Sequence, residues 1–65
     1  MLKTEKSILS KFYSENESIC TDVVHYRIDG ISTYQVNKYV GDTRKTIGHY
    51  TTEEKAVAIA EDCVL

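Results

Sequence analysis

Sixty-five residues make one domain, near the lower limit at which a chain buries a stabilising core without a disulfide or metal staple. With 42% hydrophobic and 28% charged residues, three Gly and no Pro, the chain is too apolar for disorder and too well mixed for a low-complexity tail. A formal net charge of -2 argues against a protein whose sole task is to coat phosphate backbones.

We expect a single domain over residues 1–65. At its start, Ile8, Leu9 and Phe12 keep helical spacing, with Ser10 and Lys11 among them, which predicts a short helix over residues 4–14 capped by Thr4 or Ser7. The Ser14-Glu15-Asn16-Glu17-Ser18 cluster has nothing apolar to bury and reads as a loop. Residues 22–29 are rich in β-branched and aromatic types and alternate, with Val24, Tyr26 and Ile28 on one side and Val23, His25 and Arg27 on the other. This predicts a first strand. Asp29-Gly30 supplies a turn, and the loop is expected to run on to Ser32 before alternation resumes.

A second strand is predicted over residues 34–40, placing Tyr34, Val36, Lys38 and Val40 on one face and Gln35, Asn37 and Tyr39 on the other. Gly41-Asp42 turns the chain into a third strand over residues 45–50, in which Gly48 marks a bulge or a close approach. Thr51, with Glu54 three residues on, fits a capping box for a helix over residues 52–64 whose Ala56, Ile59, Ala60 and Cys63 form one face. The expected fold class is therefore α+β: a three-stranded antiparallel sheet, a C-terminal helix packed across one face, and a short N-terminal helix. The helix should cover Val24, Tyr26, Ile28, Val36, Val40 and Ile47, and leave His25, Arg27, Gln35, Asn37, Tyr39, Arg44 and Thr46 open. Tyr26 and Tyr50 are expected in the core, Tyr34 at its edge and Tyr39 outside it.

Charge is uneven along the chain. Residues 25–49 carry Arg27, Lys38, Arg44 and Lys45 against Asp29 and Asp42, whereas residues 50–65 carry Glu53, Glu54, Glu61 and Asp62 against Lys55. The middle is basic and the last segment acidic. Cys20 and Cys63 permit one disulfide, but no apolar signal-peptide core precedes Glu5. A reduced, cytoplasmic chain is the expectation, and no run approaches the length of a membrane span. His25 and His49 have no Cys, His or carboxylate at a metal-ligand spacing and read as structural or exposed. No phosphate loop, nucleophile elbow or metal motif is present, so neither an enzyme nor a cofactor or metal is expected.

Tyr34-x-Val36, then Gly41 with the basic turn at Arg44-Lys45, then Ile47-Gly48-x-Tyr50-x-Thr52-x-Glu54-x-Ala56, is similar to the small DNA-binding domain of Apetala-two/ethylene-response factors and to the related arm-binding domains of phage integrases. The resemblance spans residues 34–61 and is sharpest over 47–56. It implies that the open sheet face docks into the DNA major groove through Gln35, Asn37, Tyr39, Arg44 and Thr46. Lys38 and Lys45 would then grip phosphates, with Arg27 a further contact. Asn and Gln suit adenine, and Arg suits guanine. The order α-β-β-β-α also resembles a double-stranded-RNA-binding domain, whose last helix opens with phosphate-clamping lysines; here Glu53 and Glu54 stand in that place.

These resemblances imply a small stand-alone nucleic-acid-binding protein of phage or mobile-element type, in the host cytoplasm if phage-encoded, with DNA favoured over RNA. The alternative is a protein-binding modulator or inhibitor of a host enzyme. It would act through the acidic helix, at Glu53, Glu54, Glu61 and Asp62, or through the same sheet face. An uncovered strand edge also makes a homodimer possible.

Overall fold

Two glycine-containing dipeptides set the course of the chain. Asp29 and Gly30 both take positive φ, 53° and 82°, the combination a two-residue type I′ hairpin requires and the one that matches strand twist. They join Ile19–Ile28 (β2) to Ile31–Val40 (β3) in unbroken antiparallel register, from Ile28 opposite Ile31 to Ile19 opposite Val40. Gly41, at φ 60°, turns β3 into Thr43–Tyr50 (β4). The expected loop over 29–32 is thus only two residues long, because Asp29 accepts the left-handed backbone and lets Ile31 begin pairing at once.

Thr4–Tyr13 (β1) precedes β2 and pairs with it antiparallel. The loop between them is held by Asn16, whose Oδ1 accepts from Ser14 Oγ at 3.0 Å, Ser18 N at 3.1 Å and Ser18 Oγ at 2.7 Å. The computed structural model, which describes residues 4–65, is therefore a four-stranded antiparallel sheet in the order β1-β2-β3-β4, followed by one helix, Glu53–Asp62 (α1). The first three residues of the expected 1–65 domain lie outside the described residues.

This corrects the expected fold class: residues 4–13 form a fourth strand, not an N-terminal helix. The cause is a bulge. Ile8 pairs with Val24 and Ser10 with Val23, leaving Leu9 without an opposite number. One extra residue breaks the period of two, so Ile8, Leu9 and Phe12 imitate helical spacing while belonging to a strand.

Directly paired residues share a face of a sheet, and α1 lies on the face of Val23 and Val36. These two oppose one another and are fully buried with Ala56 and Ala60. Phe12, Tyr34, Ile47, Tyr50, Val57 and Ile59 pack around them. Alanine at 56 and 60 brings the helix close to the sheet, and Thr21 Oγ1 pins its far end by donating to the Ala60 carbonyl at 2.8 Å. The N-cap is Thr52, one residue later than expected; its side chain accepts from Lys55 N at 3.4 Å. Glu53 and Glu54 still lie in the first turn, where the helix dipole favours them.

The face assignment of β2 is also corrected. A two-residue turn pairs even-numbered residues of β3 with odd-numbered residues of β2, so with Val36 in the core its partner is Val23. Val24, Tyr26 and Ile28 therefore lie on the open face. His25 is on the helix side, its ring stacked on Tyr34 at 4.8 Å between centroids. Among the described residues no helix is long and apolar enough to cross a membrane.

Candidate functional site

The strand pairings lay out the face opposite α1 as rows running across the sheet. Tyr13, Cys20, Tyr39 and Arg44 form the row nearest the β1–β2 loop. Lys11, Asp22, Asn37 and Thr46 come next, then Ile8, Val24, Gln35 and His49. Lys6, Tyr26 and Thr33 follow, and Thr4, Ile28 and Ile31 close the face at the β2–β3 hairpin. The β1 bulge decides this layout, because Lys6 and Ile8 before it and Lys11 and Tyr13 after it end up on the same side.

A polar network occupies the centre. Asn37 Nδ2 donates to Asp22 Oδ1 at 2.9 Å, and the Tyr39 hydroxyl donates to Asp22 Oδ2 at 3.0 Å. Asn37 Oδ1 in turn accepts from Gln35 Nε2 at 2.8 Å and from Thr46 Oγ1 at 3.1 Å. Gln35 Nε2 also reaches Thr46 Oγ1 at 3.1 Å. Although no helix covers this face, Asp22 is 5% exposed and Asn37 is 0% exposed. Burial, and then the Asp22 carboxyl that accepts its hydrogen bond, push the Tyr39 phenol above its ordinary value.

Aromatic rings and cations flank the network. Tyr13 is 56% exposed, and the Lys6 ammonium lies 5.8 Å from the centroid of the Tyr26 ring. Lys6, Lys11 and Arg44 are exposed. Among the described strand residues of this face they carry every exposed lysine or arginine charge, and Asp22 is its one carboxyl group.

Of the sequence-predicted contacts, Gln35, Asn37, Tyr39, Arg44 and Thr46 come together here. Arg27, Lys38 and Lys45 do not. Lys38 lies between Thr21 and Lys45 on the helix-bearing face, and Arg27 is on that face opposite Ser32 and Glu5. Glu53, Glu54, Glu61 and Asp62 are exposed on α1, on the far side of the sheet. Sequence reasoning missed Lys6, Lys11, Tyr13, Asp22 and Tyr26. The first three depend on β1 being a strand, and the last two on the parity that Asp29-Gly30 imposes.

A separate groove of about 490 Å³, lined by Ser14, Asn16, Ile19 and Leu65 among others, carries Glu15 as its one charged side chain. The sheet face gathers more varied chemistry. Comparison with known proteins finds no matching family model, no similar curated protein and no similar solved structure.

Proposed function

We propose that the open sheet face binds nucleic acid. The observation that carries this reading is that the strands of the open face present cations and almost no exposed carboxylate. On a chain of net charge -2, the exposed Lys6, Lys11 and Arg44 share the open face, the one carboxyl there is 5% exposed and occupied by Asn37 and Tyr39, and the carboxylates of α1 face away. Phosphate is held by such cations, and tyrosines among them add stacking surface.

With three cations in contact, log K should fall against log salt with a slope of about -2 to -3. Lys6→Ala and Lys11→Ala should each lower that slope by about one, whereas Lys45→Ala, on the other face, should leave it unchanged. Fluorescence anisotropy with labelled duplex DNA, duplex RNA and single strands measures this; no binding to any of them at low salt overturns the reading. A partner protein is the second reading, favoured by Ile8, Ile28 and Ile31, which are 54%, 42% and 69% exposed on the same face. It differs in requiring an association that salt barely weakens.

A further inference from the structure

We infer that the nucleic acid taken by this face is single-stranded, an inference that rests on the nucleic-acid reading above. Three observations lead to it. The first is the state of the amides. Reading an adenine edge in duplex DNA needs a free amide in the groove, yet Asn37 is 0% exposed, with its oxygen accepting two hydrogen bonds and its nitrogen donating to Asp22. Gln35 Nε2 is likewise shared between Asn37 and Thr46. The two side chains best suited to adenine are engaged with their neighbours.

The second is breadth. Four paired strands set the outer two about 14 Å apart, backbone to backbone, whereas the major groove, about 12 Å wide, admits a two-stranded ribbon. The open face is broader than the groove it would have to enter.

The third is the placing of the rings. Tyr13 and Tyr39 flank Cys20 in one row, about 10 Å apart, with Arg44 next to Tyr39 and Lys11 in the adjoining row. Tyr26, half-buried and with the Lys6 ammonium over its ring, lies three rows further along, about 20 Å away. Unpaired bases stack on exposed aromatic faces with little regard to sequence, while cations follow the backbone. A duplex keeps its bases stacked on one another and has no use for the rings. The ligand chemistry is a flexible strand of unstacked bases and phosphates, which DNA and RNA both supply.

The test compares labelled 15-nucleotide oligo-dT, oligo-U and a mixed-sequence DNA duplex in low salt, using wild-type protein, Tyr13→Ala and Tyr13→Trp. Tyr13 makes no side-chain bond to the network, so its variants are expected to fold; circular dichroism checks this, and Tyr26→Ala provides an independent second site. Either or both single strands should bind at least about tenfold more tightly than the duplex. Tyr13→Ala should weaken that binding by about fivefold or more, and Tyr13→Trp should restore it. The dT and U arms decide which sugar is preferred. Duplex bound as well as single strands, with no loss on Tyr13→Ala or Tyr26→Ala, overturns the single-strand inference and leaves the nucleic-acid reading standing. Binding to none of the three overturns both.

Discussion

Asn37 shows how a polar side chain is buried on a face that no helix covers. Asp22, Gln35 and Thr46 supply its hydrogen bonds, so leaving water costs it little. The outward direction of Gln35, Asn37 and Tyr39 was legible from strand alternation. That Asn37 would be buried and bonded to Asp22 was not, because Asp22 sits on a different strand, on a face assigned the wrong way round. Tyr39 carries a consequence for pH. Its phenol is raised above 10.0 in the folded protein, so the folded state holds that proton more tightly than the unfolded chain. The resulting stabilisation is present below about pH 10 and is lost as pH rises through the folded value. Denaturant midpoints measured between about pH 8 and pH 11 should fall more steeply for wild type than for Tyr39→Phe; parallel curves would contradict this.

Each edge strand carries a bulge, at Leu9 in β1 and at Ile47 in β4. The second lies beside Gly48, where an added Cβ would come 2.9 Å from the Tyr50 hydroxyl and 3.2 Å from its ring carbon Cζ. Glycine there lets the Tyr50 ring lie back over the strand and close the core between β4 and α1. Gly48→Ala should displace that ring and lower stability by about 1 to 2 kcal/mol, read by chemical denaturation. In a Tyr50→Leu background the loss should be smaller, since the clashing atoms are gone. At this scale β3, β4 and α1 were legible because alternation, turn residues and a cap agree along residues 34–64. β1 was not, because a bulge erases the period that identifies a strand. The facing of β2 was recoverable in principle: Asp-Gly permits a two-residue turn, and that turn length fixes the parity of the pairing.

For the molecule as a whole, net charge conceals an arrangement that only the fold reveals: cations lie on both sides of the sheet, but the exposed carboxylates of the helix, Glu53, Glu54, Glu61 and Asp62, all lie on one, and leave Lys6, Lys11 and Arg44 unopposed on the other. The same arrangement bears on self-association. β1 presents Lys6 and Lys11 around its bulge, and β4 presents Arg44 and Lys45 ahead of its own, a pattern that discourages edge-to-edge pairing. Two copies meeting open face to open face would oppose like charges. Sedimentation at two concentrations should therefore return a monomer at both, and a rising mass would show that the edges are less guarded than they look. The pairing of Asp22 with Asn37 has a final consequence for how quickly a ligand can settle. These groups shed their water when the chain folds, so the face is already dehydrated at Asp22 and Asn37. If the face takes a single strand as inferred above, that strand would have hydration to displace mainly at the rim, around Tyr13, Tyr26 and the cations.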